Sequence, residues 1–427
     1  MARVQIRPLV FLLTGFGWLV LSSLLGLAIF IGIVRGTPLP SWLRLLHVHG
    51  ALVGGVAQMI LGAMLAFIPP LLMTGRDRPN SHPFLYLAVN AGAAGMLAGF
   101  VLQHHLIVGA AGLFVFAAFV SLAGDALRQA RRSLNSPPLN ILFYGLALLA
   151  LFAGLAMGEG MAFQLVPPTS VAHARLAHIH LNLLGFVILT IVGTMHNLLP
   201  TVLQASLYSA ALARTVFLLL PAGIAVLITG FFLSSLWTQI AGGGTLAVGA
   251  ALYAYNMLRT WLAAGKPGGA ASDHLLTATF FLFLAVLMGV FVTVNSLWDP
   301  PAVPFGTLHL VAYTHVALVG FILQTIFGAL SHLLPVSLAV ARVASNKKRG
   351  PYLEHLTKIV DRWRAIQIGA LSLGTMGLAV VASLTWSLPL GSLAVQAAAW
   401  ASFGLLLLSL LLFAAKIGYL LGARPAE

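Results

Sequence analysis

The sequence has no cysteine. This excludes disulfides, thiolate metal sites and the CxxCH attachment of a c-type haem, so any haem held here is bound through histidine or another non-thiol ligand. Acidic residues are almost as scarce: eight Asp and Glu stand in 427 residues, and charged residues of both signs make up only 7%. With 60% hydrophobic residues and a mean hydropathy of +1.01, too little polar material remains to cover a water-facing surface. Apolar runs of about 20 residues recur along the chain. It therefore reads as an all-α, polytopic membrane protein in contact with a lipid bilayer. The formal net charge of +14 does not point to nucleic acid, because the basic residues fall in short loops between apolar runs, where they orient a protein in the membrane.

Twelve transmembrane helices are expected, over 9–34, 44–72, 84–106, 107–127, 139–163, 175–203, 211–237, 240–263, 274–298, 308–338, 366–388 and 392–420. The first is too long and too evenly apolar for a cleaved signal peptide. With the N-terminus in the cytoplasm, every Lys and Arg except Arg35, Arg44 and Arg175 falls on the inside, including Arg3, Arg76, Arg78 and Lys416. Both termini are then cytoplasmic, in a multi-pass protein of a bacterial-type inner membrane. No separate soluble domain is expected: residues 1–427 form one membrane domain, and the charged stretch 339–364, interrupted by Gly350 and Pro351, reads as a solvated cytoplasmic loop.

The segment Arg175–Pro200, RLAHIHLNLLGFVILTIVGTMHNLLP, organises the rest. Gly185, Gly193 and Pro200 follow His180 at the offsets at which Gly54, Gly62 and Pro69 follow His49, and at which Gly320, Gly328 and Pro335 follow His315. The chain thus reads as three internal repeats, approximately 1–135, 136–272 and 273–427, each of four spans. The histidine spans are the second, sixth and tenth; all run from outside to inside, which puts the three histidines at similar depth in the outer half of the membrane.

Ionisable residues cost about 2.5–3.5 kcal/mol at the centre of a span on insertion scales, so a cluster of them marks function. Fourteen histidines against eight acidic residues suit neutral imidazole ligands to haem iron or copper better than a hard-cation site. His178 and His180 stand about 200° apart around a helix, so their rings leave on nearly opposite sides and one helix can serve two sites. His47 and His49 repeat that spacing, and His104 and His105 form an adjacent pair at the outer end of span 3. Simpler readings suit the other histidines. His47, beside Arg44, reads as interfacial, as do His173 and His309; His82, His274 and His355 as solvated in inside loops; His196 and His332 as bonded to carbonyls near the inner end.

Three four-helix arcs with pseudo-threefold symmetry, and histidines at the outer ends of spans 2, 6 and 10, resemble the catalytic subunit of the haem-copper oxidase superfamily. The run AHIHLNLLGF is similar to the HxH helix of C-type cytochrome oxidases and the nitric oxide reductase large subunit. The resemblance spans nearly the whole chain and is specific in the histidine spans. In that family the first histidine of HxH binds a high-spin haem and the second a low-spin haem, another helix supplies the opposite low-spin ligand, and three further histidines hold copper.

Two registers carry this pattern over. In simple order His49 and His315 are low-spin ligands, but Tyr313 then takes the high-spin position and span 7 has no HH pair. Rotated by one repeat, the resemblance implies His178 and His180 as the HxH pair, His315 as the opposite low-spin ligand, and His49, His104 and His105 as the copper ligands. The rotated register is preferred. Arg175 and Arg44, each five residues before a repeat histidine, are equally suited to snorkelling and to contacting haem propionates.

The resemblance implies haem b, one low-spin with a second high-spin one, and copper. The activity implied is respiratory electron transfer or reduction of O2 or NO, with electrons from cytochrome c, a cupredoxin or a quinol. No match appears for the family's tyrosine linked to a copper histidine or for its buried carboxylates, so proton pumping is not implied. A stand-alone haem or copper protein for nitric oxide response or cofactor delivery is the second reading. A twelve-helix transporter is the rival, although transporters are commonly built on twofold or inverted repeats.

Overall fold

A computed structural model describes residues 7–74 and 82–425. Arg3, Arg76 and Arg78, read above as inside residues, lie outside them. Among the described residues every regular element is a helix. In chain order these are α1 (Pro8–Val34), α2 (Ser41–Leu71), α3 (Pro83–Val101), α4 (His105–Arg132), α5 (Leu139–Ala162), α6 (Pro168–Leu203) and α7 (Ala210–Phe232). They continue as α8 (Leu236–Ala263), α9 (Ala270–Asn295), α10 (Thr307–Arg342), α11 (Asn346–Asp361), α12 (Arg364–Leu384) and α13 (Leu393–Gly422). Helix is the one open form that lets an apolar run satisfy its own backbone in lipid. Proline opens α1 and α3, where its missing N–H has no intrahelical bond to lose.

Eleven of these helices are long and apolar enough to cross a membrane. The eighth expected span falls on α8, a 28-residue helix that is not among the eleven; Gln239, Tyr253, Tyr255 and Asn256 lower its apolar character.

Residues 339–364 are not a loop. Helix α10 runs on to Arg342 and α11 follows after three residues. Tyr352, Leu356 and Val360, spaced by four, form one buried stripe on α11, and that amphipathic period outweighs the backbone bond lost at Pro351. Arg349 closes the corner by donating to the carbonyl of Val343 at 3.2 Å.

The chain divides into two compact units. One comprises 1–29, 38–194 and 220–242; the other comprises 30–37, 195–219 and 243–427. In the first unit α1 lies against α2 with glycines at the contact: a Cβ at Gly62 would meet the Phe11 side chain at 2.7 Å, and one at Gly54 the Trp18 ring at 2.7 Å. Helices α5 and α6 repeat this register, Gly193 meeting Phe143 and Gly185 meeting Ala150, each at 2.5 Å. In the second unit α9 and α10 use it again, with Gly328 against Leu275 at 2.8 Å and Gly320 against the Phe281 ring. The glycines that follow each repeat histidine thus serve one purpose, to let the preceding helix approach closely. In the same unit α12 and α13 pair closely, Gly374 facing Leu406.

Candidate functional site

Each histidine helix departs from α geometry at the same point. An eight-residue π-helical stretch begins directly after the repeat histidine: Gly50–Ala57 after His49, Leu181–Ile188 after His180, and Val316–Leu323 after His315. Such wide turns are rare, and they occur preferentially at functional sites.

The three histidines are held alike. Nδ1 lies 3.0 Å from the Leu45 carbonyl in His49, 2.8 Å from Leu176 in His180 and 2.7 Å from Val311 in His315. A carbonyl oxygen only accepts, so Nδ1 carries the proton and donates, and Nε2 carries the lone pair that a metal needs. All three rings are partly accessible. A ring fixed through Nδ1, which leaves the lone pair on Nε2, is chemically able to ligate a haem iron. His180 also lies beside Phe231, with ring centroids 4.7 Å apart.

The residue two positions earlier turns the other way, toward the preceding helix. His47 Nδ1 donates to Ser22 at 2.7 Å and His178 Nδ1 to Gly154 at 2.8 Å. The His178 ring sits on Gly158, where a Cβ would come within 2.8 Å of its Cε1, and the His47 ring sits on Gly26 in the same manner. In the third repeat the place is taken by Tyr313, whose hydroxyl would be 2.7 Å from a Cβ at Gly289. The opposite directions read from the HxH spacing are therefore present. His47 is anchored to α1 and is not merely interfacial. Asn182, one turn below His178, donates its Nδ2 to the His178 carbonyl at 2.7 Å.

His49 is brought next to His178, ring centroids 6.5 Å apart and planes within 21°, with Phe100 at 4.7 Å on His49. These are the positions that the rotated register gives to copper and to the high-spin haem. His104 and His105 do not close span 3: helix α3 ends at Val101, His104 caps α4 and His105 is its first residue. Both are exposed, their rings stack at 6.1 Å, and His105 Nδ1 donates to Ala162 at 3.0 Å. Among the described residues no three His, Asp or Glu side chains group as a metal site. The donor set thus fits haem, which needs one or two imidazoles.

Arg44 and Arg175 are exposed. His173 bonds Ser234 at 2.9 Å, His309 stacks on Trp386 at 5.2 Å, and His355 is exposed, all in keeping with peripheral roles. His274 is the exception: it is completely buried, in the second turn of α9. The loop reading failed because α9 starts at Ala270 and packs against α10, which carries the ring inside.

A second polar layer was not anticipated. Gln58 and Gln324, each nine residues after a repeat histidine and each the first residue after a π stretch, are fully buried, and neither side-chain polar atom of Gln58 has a hydrogen-bond partner among the described residues. The shared offset was visible in the sequence; their burial was not. No protein-family model matches this chain, and no curated protein matches it.

Proposed function

We propose that the chain is a haem-binding membrane protein of the haem-copper oxidase type, with twelve spans in three four-helix arcs forming one membrane domain of three repeats. What supports this is one recurring device: three histidines, each fixed through Nδ1 to the carbonyl four residues back and each followed at once by a π stretch. A structural histidine has no need of that repetition. In this reading His178, His180 and His315 are the haem b ligands, Arg175 faces a propionate, and His49 with His104 and His105 is the copper candidate. The activity is electron transfer or reduction of O2 or NO, with cytochrome c, a cupredoxin or a quinol as donor.

The absorption spectrum of the purified protein, with iron and copper analysis, is the direct test. Soret and α bands of six-coordinate haem b are expected, with at least one iron per chain; folded protein without haem or metal would return the question to the transporter reading. Haem without copper would favour the non-catalytic reading.

The same reading, by its charge distribution, has both termini in the cytoplasm of a bacterial-type inner membrane. A reporter fused after Glu427 is expected to be active inside, and one inserted between Asp299 and Gly306 outside; the reverse pattern would invert the proposed depth of the histidines.

A further inference from the structure

In the second unit α8 and α9 touch at one end and part at the other. A Cβ at Gly243 on α8 would come within 3.0 Å of Cγ2 of Val290 on α9. Toward the short connection 264–269 the facing residues become aromatic, and no glycine there lets the helices close. A groove of about 480 Å³ results, lined by Tyr255, Leu258 and Trp261 of α8 and by Leu276, Phe280 and Phe283 of α9. That volume is within the range of about 300–1,000 Å³ of ligand sites. The groove is open along one side, where Leu258 is 47% and Phe280 59% exposed. Helix α9 is long and apolar enough to cross a membrane, so such an opening faces acyl chains.

Cations stand at the mouth of the groove. Trp261 Nε1 donates to the Pro267 carbonyl at 3.2 Å, and the backbone N–H of Lys266 donates to the Trp261 carbonyl at 3.1 Å. These bonds fold the connection back onto the end of α8 and set the exposed Lys266 beside Trp261. Arg259, two residues before Trp261, donates to Tyr255 Oη at 2.8 Å and lies over the Tyr208 ring at 4.5 Å. Among the described residues neither cation is in an ion pair. The carboxylates at this end are already engaged: Asp273, in the first turn of α9, and Asp361 both face Arg364, at 3.2 Å and 3.9 Å.

A small anion would meet the cations and leave the groove empty, and a plain hydrocarbon would do the reverse. One class of molecule uses both. We propose that the α8–α9 groove holds one anionic phospholipid, an acyl chain lying along Leu258, Leu276 and Phe280 and the phosphate standing at Arg259 and Lys266. A guanidinium presents paired N–H donors that match the oxygens of a phosphate. The rings of Tyr255 and Trp261, apolar with one polar atom each, suit the boundary between chain and headgroup. Each basic residue at a membrane surface favours an anionic lipid by about fivefold. A zwitterionic headgroup brings its own cation, which cancels that attraction. The site does not depend on the haem reading.

The test is fluorescence quenching at Trp261 in full-length protein, reconstituted in phosphatidylcholine vesicles that carry a minor fraction of brominated lipid. The brominated lipid is phosphatidylglycerol or phosphatidylcholine with the same chains, and the Trp261 signal is the difference between wild type and Trp261→Phe. Brominated phosphatidylglycerol is expected to quench that signal at a fraction lower by about fivefold or more. Arg259→Gln combined with Lys266→Gln is expected to bring the two lipids together. Equal quenching by both lipids in wild type, or a preference unchanged in the double variant, would overturn the proposal. So would displacement of brominated phosphatidylglycerol by an equimolar isoprenoid quinone. If the double variant does not fold, wild type in about 1 M salt decides, where the screening length falls to about 3 Å: the preference must shrink, and one that persists in full refutes the site.

Discussion

Alanine in place of His315 is expected to abolish the low-spin haem signal, and alanine in place of His180 to do the same. A six-coordinate haem needs both axial imidazoles, and the rotated register assigns both to one haem. Each of these rings is already set by its Nδ1 bond, to Val311 in one case and Leu176 in the other. Alanine at His49 is expected to leave that signal intact and to lower any copper content, since one imidazole lost from three leaves too few ligands for tight binding. The simple-order register demands the reverse, loss with His49 and survival with His180. Reduced-minus-oxidised spectra and metal analysis of the three variants separate the two. A set of folded variants with unaltered haem and metal would sink both registers together.

The second large effect is expected at a glycine that lies under the His178 ring and offers no ligand of its own. A Cβ at Gly158 would meet Cε1 of His178 at 2.8 Å and Nδ1 at 3.0 Å. The ring cannot simply retreat, because Nδ1 is committed to Gly154 at 2.8 Å and Asn182 stands against Gly154. Gly158→Val is therefore expected to destabilise the protein by about 1–3 kcal/mol through overpacking, and to weaken retention of the haem assigned to His178. Gly145 on the same helix is the control: nothing lies within 4 Å of its Cβ position and it is exposed, so valine there should change stability by about 0.5 kcal/mol or less. Thermal unfolding followed with haem absorbance compares the two, and equal behaviour of both variants would remove Gly158 from any role in seating His178.

What the chain determined by itself was everything that follows from solvent and period. Long apolar runs in a sequence of 7% charge have no stable alternative to helices in lipid, and each expected span falls on a helix, although the sixth helix starts at Pro168 and the third ends at Val101, away from the expected ends. The offsets shared by His49, His180 and His315 were legible because a repeated helix contact needs small residues at repeated places. Gly62, Gly193 and Gly328 indeed receive Phe11, Phe143 and Leu275. The opposite headings of His178 and His180 followed from helical geometry alone.

Only the tertiary structure decided the rest, because it depends on neighbours that no local pattern encodes. The proton position on each repeat histidine is set by a carbonyl one turn back, at an atom every residue possesses. Gly158 looks like any glycine of a span until His178 is laid on it. His274 reads as a loop residue beside Asp273, yet α9 starts before it and carries it inside. The π stretches follow the same logic: their sequences, GALVGGVA, LNLLGFVI and VALVGFIL, align on Leu at the third place and Gly at the fifth, yet such an apolar run carries no local signal for a wide turn. Secondary structure was dictated by composition, whereas the chemistry of the histidines was assigned by packing.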